Sequence, residues 1–325
     1  MATSLPSYIV LSGPTASGKT STAINLATAP QFSQKIEIVN FDSLLFYTEL
    51  NIGTAKPSHE EQAEVPHHLI DITSISKTIN ASSFVEECEK VLQNIWSRGY
   101  IPLLTGGSGF YLKALIEGMY PGGSPSEEVK NKVRDILKKD GLPAIIELLK
   151  EHDPKSLENI HPNDEYRLTR ALEFFFHTGQ SISIAAQLFE EQKQEMGLGL
   201  KRKARGLHLH LDIPKSDHLQ IIAQRTQSML QSGLIEETQN VLNKDYVIGN
   251  EKPLLSIGYK EVIMYLNKNI SNIEDLAERI NISTRQLAKA QRTWFNNNPG
   301  DFNFDSRYDF SSILTETAAF LAKKI

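Results

Sequence analysis

The sequence lacks the features that mark secreted, membrane-spanning and zinc-binding proteins. Its 325 residues include one cysteine, Cys88, which rules out an internal disulfide and a zinc site built on cysteine pairs, and fits a reducing compartment. No apolar run approaches the roughly 18 residues that a membrane-spanning helix needs. No basic segment precedes the first apolar run, Tyr8–Leu11, so we expect no cleaved signal peptide. We therefore expect a cytoplasmic protein that does not associate with a membrane.

A strong excess of one charge is also missing. The formal net charge is −5, which argues against a protein that coats nucleic acids indiscriminately. Positive charges are nevertheless grouped in Lys201–Arg205, and Arg285, Lys289 and Arg292 recur at a spacing that places them on one helix face. Such patches suit a specific anionic partner, although a solvated charged face explains either cluster about equally well.

Near its start the chain does contain a glycine loop of the kind that binds a polyphosphate. The loop follows an apolar strand and precedes a predicted helix, and it consists of Gly13, Pro14, Thr15, Ala16, Ser17, Gly18, Lys19 and Thr20. Its two glycines permit backbone conformations in which successive N–H groups point at one anion, and the helix N-terminus adds partial positive charge. Lys19 supplies a mobile full charge, and the Thr20 hydroxyl is placed to bind Mg²⁺.

Two further polar turns follow predicted strands. Asp42 and Ser43 come after the strand Lys35–Phe41, and Ser108 lies in a glycine turn after the strand Tyr100–Thr105. The carboxyl ends of parallel strands share one sheet edge, where ligands bind, so we expect both turns beside the glycine loop. The alternatives are that Asp42 caps a helix and that the glycine turn only helps packing.

The order of elements predicts an α/β protein with about two domains. We expect a parallel sheet like that of P-loop NTPases, flanked by helices, with an all-helical insertion and a helical C-terminal region. Residues 1–120 would form the first part of the core, 121–205 the insertion, and 206–325 the return to the core. Turn formers at Tyr120–Ser126 mark the first boundary, and the alternating strand Leu207–Ile213 marks the return.

Within the insertion we predict a helix over Asp164–His177, capped by Asn163 and closed by Gly179. Arg167 and Arg170 share one of its faces. Their guanidinium groups suit phosphate recognition, although they could simply pair with neighbouring acidic residues.

Taken together, these blocks resemble the tRNA dimethylallyltransferases, also called tRNA isopentenyltransferases. The resemblance covers nearly the whole chain. Its motifs are Gly13–Thr20, Asp42-Ser43, Ile52–Pro57, Pro66–Asp71, Gly106–Tyr111, His161–Asp164, Arg167–Glu173, Gly258-Tyr259 and Thr284–Phe295. Departures are Ser108, where the family usually has threonine, the bulky Phe41 before the aspartate, and Ile221, where relatives often carry arginine. A C-terminal zinc finger of the eukaryotic kind is absent, which points to the bacterial form.

The resemblance implies transfer of a dimethylallyl group from dimethylallyl diphosphate to the exocyclic N6 amine of the adenine 3′ to a tRNA anticodon. It implies Mg²⁺ as cofactor and diphosphate in the glycine loop. We expect a monomer. The catalytic residues it implies are Lys19, Thr20, Asp42, Ser108 and Arg225. The tRNA contacts it implies are Asp42, Ser43, Leu44, Leu45, Ser108, Lys130, Tyr166, Arg167, Leu168, Thr169, Arg170, Gly258, Tyr259, Lys260, Arg285 and Lys289.

Three other functions remain open from the residues. An adenylate isopentenyltransferase that makes cytokinin would have no use for the helical insertion and the basic helix. A P-loop kinase that uses ATP would need an arginine-bearing lid over the phosphates. An RNA-binding protein without catalysis would leave Lys19, Thr20 and Asp42 without a role.

Overall fold

A parallel sheet of six strands organises the chain in the computed structural model, which describes residues 5–119, 123–195 and 197–323. The strands are β1 (Ser7–Ser12), β2 (Ile36–Asn40), β3 (His67–His68), β4 (Ile101–Gly106), β5 (Arg205–Asp212) and β6 (Phe302–Asp305). They lie in the order β3, β2, β4, β1, β5, β6, and every neighbouring pair is parallel. The predicted α/β fold class is confirmed.

Helices follow most strands, as the sequence predicts. In the described part of the chain they are α1 (Lys19–Ala27), α2 (His59–Glu64), α3 (Ala81–Ser97), α4 (Gly109–Glu117), α5 (Glu127–His152), α6 (Pro154–Asn159), α7 (Glu165–Thr178), α8 (Ile182–Glu195), α9 (Leu200–Lys203), α10 (Lys215–Gln231), α11 (Leu234–Leu242), α12 (Tyr259–Leu266), α13 (Ile273–Asn297) and α14 (Phe310–Ala322). None of these helices is long and apolar enough to span a membrane.

The central strands are buried, and their ends define one edge of the sheet. Ile9, Leu103 and Leu209 are fully enclosed, as expected for parallel strands covered on both faces. Ser12 at the end of β1 pairs with Gly106 of β4, and Asn40 of β2 pairs with Thr105. The register therefore brings the glycine loop, the Asp42 turn and the Ser108 turn to the same edge.

The chain forms two compact units. One comprises the residues up to Leu115 and those from Lys203 onward, and it contains the whole sheet. The other, Ile116–Arg202, is helical and has its own core, which includes Ile145 and Leu172. The turn expected at residues 120–122 lies outside the described part of the chain.

Two local predictions were wrong. Asp164, rather than Asn163, caps α7, because its Oδ1 accepts a hydrogen bond of 3.1 Å from the N–H of Arg167. The predicted end at Gly179 is confirmed, and this glycine has a φ of 72°. Strand β6 lies in a stretch that we predicted to be helical. It has only four residues and one neighbour, β5, so no long alternating pattern marks it.

Candidate active site

The glycine loop closes tightly over the sheet edge. A β-carbon on Gly13 would lie 2.6 Å from the carbonyl oxygen of Leu211, so only glycine fits there. Gly18, with a φ of 82°, turns the chain into α1. Lys19 folds back over the loop, and its Nζ donates to the carbonyls of Gly13 at 3.0 Å and Pro14 at 2.8 Å. Two of its three N–H groups are thus held, which leaves the third for an anion in the loop.

Burial lowers the pKa of Lys19 to about 8. The negative charge of Asp42 opposes this shift, and the positive charge of Arg225 adds to it. Burial also lowers the pKa of the Arg225 guanidinium, again opposed by Asp42. One carboxylate therefore interacts with two partly buried cations, an arrangement that favours additional negative charge in the space between them.

The Asp42 carboxylate is held in a fixed orientation by its own turn. Its Oδ1 accepts a hydrogen bond of 3.1 Å from the N–H of Leu44. The Asn40 side chain braces the backbone on either side, because its Oδ1 accepts from the Asp42 N–H and its Nδ2 donates to the Asp42 carbonyl. The other carboxylate oxygen, Oδ2, lies 3.7 Å from the position that a β-carbon of Gly107 would occupy. It faces the second glycine turn.

Ser108 joins that second turn to the Asp42 turn. Its Oγ accepts a hydrogen bond of 3.2 Å from the N–H of Ser43, and it lies 3.4 Å from the Ser43 hydroxyl. The glycines around it allow close packing. A β-carbon on Gly106 would lie 2.7 Å from the Asp42 nitrogen, and Gly109 lies against the ring of Trp294.

Two cavities meet at Asp42. The loop cavity, of about 260 Å³, is lined by residues 15–20 of the glycine loop, by Ser21 and by Leu45, among others. The second cavity, also about 260 Å³, is lined by Ser43, Leu44, Ser108, Gly258 and Gln291, among others. Thr15, Asp42, Thr54 and Arg225 line both cavities. A ligand in one cavity can therefore meet a ligand in the other beside the Asp42 carboxylate.

The loop cavity has oxygen donors suited to magnesium. Thr20, with its hydroxyl, and Asp42, with its carboxylate, are both among the residues that line it. Mg²⁺ usually takes one or two such protein ligands and completes its shell with phosphate oxygens and water. The buried Ser17 hydroxyl has no hydrogen-bond partner among the described residues, which fits a loop that binds an oxyanion. The residues present therefore fit a magnesium diphosphate.

Comparison with known proteins identifies the family. Residues 45–298 match the family model described as IPP transferase. The chain belongs to the IPP transferase family. It is 34% identical to a tRNA dimethylallyltransferase of Geobacter sulfurreducens over 94% of each chain. It is 40% identical to one of Prochlorococcus marinus over 89% of each chain.

Solved structures of IPP transferases have the same fold. The tRNA isopentenylpyrophosphate transferase of Staphylococcus epidermidis superposes with a TM-score of 0.67 at 30% identity, over 98% of this chain and 100% of that one. A eukaryotic dimethylallyltransferase acting on tRNA superposes with a TM-score of 0.78 at 27% identity, over 96% of this chain and 77% of that one. The resemblance seen in the motifs is confirmed.

The other predicted tRNA contacts of the sheet-containing unit differ in exposure. Tyr259 is fully buried, and its hydroxyl donates to Oε1 of Glu237 at 2.6 Å, so its side chain does not reach the surface. Lys260 is partly exposed and lies 3.4 Å from Glu261. Arg285 pairs with Glu278 at 2.6 Å, and Lys289 is exposed on the same helix, α13.

The predicted contacts of the helical unit lie mainly on α7. Tyr166 is 72% exposed, whereas Leu168 is fully buried in the core of this unit. Arg167 and Arg170 pair with Asp164 at 3.3 Å and with Glu173 at 3.4 Å, as the alternative interpretation proposed. Thr169 donates its hydroxyl to the Glu165 carbonyl, and Lys130 on α5 pairs with Glu127 at 2.6 Å.

The basic clusters are only partly available to an anion. Arg292 does not share the exposed face of Arg285 and Lys289, because it turns inward and its Nε donates to Asp212 at 2.7 Å. In the cluster Lys201–Arg205, Lys203 pairs with Glu89 at 2.6 Å, and Arg205 donates to backbone carbonyls near the end of α14. Some cations of each cluster are therefore paired within the protein, so a solvated charged face, the alternative left open, describes the clusters only in part.

The motif Thr284–Phe295 contains Gln291, but sequence reasoning gave neither Gln291 nor His218 a role in the site. Gln291 contacts Thr15 and Gly107, and His218 contacts Thr15. A signal for Gln291 exists. It continues, at helical spacing, the buried stripe of α13 that includes Ile280, Ala288 and Phe295. A polar residue in such a stripe needs a hydrogen-bond partner inside the protein.

Proposed function

We propose that this IPP transferase moves a dimethylallyl group from dimethylallyl diphosphate to the N6 amine of the adenine 3′ to the anticodon of a tRNA. The observation that supports this most is the position of Asp42, which lines both the loop cavity and the second cavity. A donor and an acceptor bound in these cavities would meet beside one carboxylate.

The donor would lie with its diphosphate in the glycine loop. Lys19, Arg225 and the N-terminus of α1 would neutralise the charge that grows on the leaving oxygen as the allylic C1–O bond breaks. The loop residues Gly13, Pro14, Thr15, Ala16, Ser17, Gly18, Lys19 and Thr20 would hold the diphosphate. Mg²⁺ held by Thr20 and the diphosphate would supply further charge neutralisation.

The acceptor amine would enter from the second cavity. Its N6 forms a bond to C1 of the allyl group, the C1–O bond to diphosphate breaks, and an N6 proton passes to the Asp42 carboxylate. The Leu44 N–H holds Oδ1 of that carboxylate, so Oδ2 would accept the proton. Because an aromatic amine is a weak nucleophile, the fixed orientation of Asp42 and Ser108 contributes as much as basicity.

The adenine must leave its stack to reach this cavity, which is a base-flipping step. Ser43, Leu44, Leu45, Ser108 and Gly258 would contact the flipped base and its neighbours. We propose that Lys260, Arg285 and Lys289, together with Lys130, Tyr166, Arg167, Thr169 and Arg170 of the helical unit, contact the tRNA. Leu168 and Tyr259 are buried, so we propose that they pack beneath the residues that contact the tRNA and do not contact it themselves. One chain carries both cavities, so we propose that the enzyme acts as a monomer. We also propose that it is cytoplasmic, in keeping with its single cysteine.

A transfer assay tests this function. The protein is incubated with labelled dimethylallyl diphosphate, Mg²⁺ and unmodified tRNA, and the label is followed into RNA. We expect label in tRNA and none in a tRNA with guanine at the target position. Transfer to AMP alone would instead indicate an adenylate enzyme. ATP-dependent phosphorylation without prenyl transfer would rule the proposal out.

The variant Asp42→Asn tests the role of the base in the same assay. Removing the proton acceptor while keeping the shape should lower kcat by about 10²- to 10⁴-fold. Affinity for tRNA, measured by filter binding, should stay unchanged. Equal losses of rate and affinity would make Asp42 a binding residue and not a base.

A further inference from the structure

The peptide groups of Thr15 are held by side chains from outside the glycine loop. The Thr15 N–H donates to Oε1 of Gln291 at 2.7 Å. The Thr15 carbonyl accepts a hydrogen bond of 2.8 Å from Nε2 of His218, which therefore carries the proton. Thr15 lines both cavities, so a shift of this residue would change the shape of each.

The amide of Gln291 reaches a second loop as well. Its Nε2 donates to the Gly107 carbonyl at 3.0 Å, so one side chain spans the phosphate loop and the glycine turn that carries Ser108. A β-carbon on Gly107 would collide with this Nε2, which explains why glycine precedes Ser108. Both polar ends of the amide are engaged, although the side chain also lines the second cavity.

Arg292, the residue after Gln291, orients the His218 side chain that contacts Thr15. Its guanidinium donates to Nδ1 of His218 at 2.6 Å and also to Asp212 and to the Ile213 carbonyl. Burial is the main cause of the lowered pKa of His218, and Arg292 adds to it. The ring is therefore neutral, with Nδ1 as acceptor and Nε2 as donor.

We infer that Gln291 is a positioning residue for the transfer reaction, a role that rests on the proposed function. It sets the distance between the glycine loop and the second glycine turn. The loop anchors the leaving group, and the turn faces Oδ2 of Asp42. A single planar amide with one donor and one acceptor fixes both loops to the same helix, α13. Misplacing reacting groups by as little as 1 Å can cost about 100-fold in rate.

The first test removes both hydrogen bonds. Gln291→Met keeps the length of the side chain but has no amide. We expect kcat/KM for the donor to fall about 10- to 100-fold. Binding of magnesium pyrophosphate without tRNA, measured by calorimetry, should weaken several-fold, because the hydrogen bond that fixes the loop at Thr15 is lost. The matched control is Gln239→Met on an exposed face of α11, which should change neither quantity.

The second test uses protonation to restore the two hydrogen bonds from position 291 to Thr15 and Gly107. In Gln291→Glu, a neutral carboxyl can accept from Thr15 and donate to the Gly107 carbonyl as glutamine does, whereas the ionised form repels that carbonyl. The ratio of kcat/KM of this variant to that of the wild type should therefore rise as the pH falls from 8 to 6. Gln239→Glu should give a flat ratio, and a purely structural loss would also be flat.

The outcomes are separable. If the wild type binds magnesium pyrophosphate and Gln291→Met binds it equally well, or if the Gln291→Glu ratio does not change with pH, the inference is wrong. If Gln291→Met does not fold, the Gln291→Glu ratio still decides. If the wild type transfers no prenyl group to tRNA, the proposed function fails, and with it the role of Gln291 in transfer. The pyrophosphate comparison would still test the contact of Gln291 with the glycine loop.

Discussion

At the scale of single residues, Lys19 links the reaction to pH. Burial lowers its pKa to about 8 in the free enzyme, and only the protonated form can neutralise the diphosphate. The profile of kcat/KM for the donor reports ionisations of the free enzyme. We therefore expect kcat/KM to be level below about pH 8 and to fall roughly tenfold per pH unit above it.

Lys19→Arg is the matched variant for this profile. Its guanidinium remains charged up to pH 10, so the alkaline decline in kcat/KM should disappear. The different shape of the side chain should lower kcat/KM at every pH. Initial rates at low donor concentration between pH 6.5 and 10 measure both enzymes. A wild-type profile that stays level to pH 10, or an unchanged decline in Lys19→Arg, would assign the ionisation to another group.

The residues of the site differ in how far sequence could reveal them. Lys19 closes the glycine loop that follows β1, and Asp42 lies in the turn that follows β2, so a local pattern predicts both their chemistry and their place at the sheet edge. Gln291 is 276 positions from its partner Thr15, and no local pattern contains that contact. His218 depends in the same way on Arg292 and Thr15, which only the folded chain brings together.

At the scale of elements, helix α13 determines why the second turn is rich in glycine. A β-carbon on Gly109 would overlap the indole ring of Trp294. Gly109→Ala should therefore destabilise the protein by about 1 to 3 kcal/mol, as overpacking does, and should lower activity by moving Ser108. Urea unfolding followed by circular dichroism measures the loss.

A double-mutant cycle isolates this contact. Trp294→Leu makes space, so Gly109→Ala should cost less in the Trp294→Leu background than in the wild type. Equal costs in both backgrounds would mean that the glycine is needed for its backbone and not for the approach of the ring.

Elements with a long hydrophobic pattern can be predicted from the sequence, whereas short elements without one cannot. The stripe that includes Phe84, Cys88, Leu92 and Ile95 predicts α3 over the residues that the structure gives it. Strand β6 has four residues, half of them exposed, and its pairing with β5 comes from the tertiary fold. The same holds for Arg292, whose spacing predicts an exposed face but whose partner Asp212 lies at the end of β5.

At the scale of the whole molecule, the buried His210 and the partly buried His208 oppose stability in acid. The Ser12 hydroxyl lies between the rings of His208 and His210, at 2.7 Å and 2.9 Å. Burial, followed by the neighbouring His210, lowers the pKa of His208 to about 4, with Asp301 opposing the shift. Below the unfolded value of about 6.5 the unfolded chain therefore binds more protons than the folded one, and stability falls as the pH drops from about 6.5 toward 4.

We expect the free energy of unfolding to fall between pH 7 and pH 5, with His208 contributing about 1 to 2 kcal/mol of that loss. His208→Gln keeps an uncharged polar partner for Ser12. The free energy of unfolding of this variant should therefore fall less between pH 7 and pH 5, by the same amount. The exposed His59, in the same unit as His208, gives the control His59→Gln, which should leave the pH dependence unchanged. Both tryptophans, Trp96 and Trp294, belong to the sheet-containing unit, so urea unfolding followed by tryptophan fluorescence reports that unit alone. An equal pH dependence in His208→Gln and the wild type would show that the pair does not titrate on unfolding, and that carboxylates account for the acid sensitivity instead.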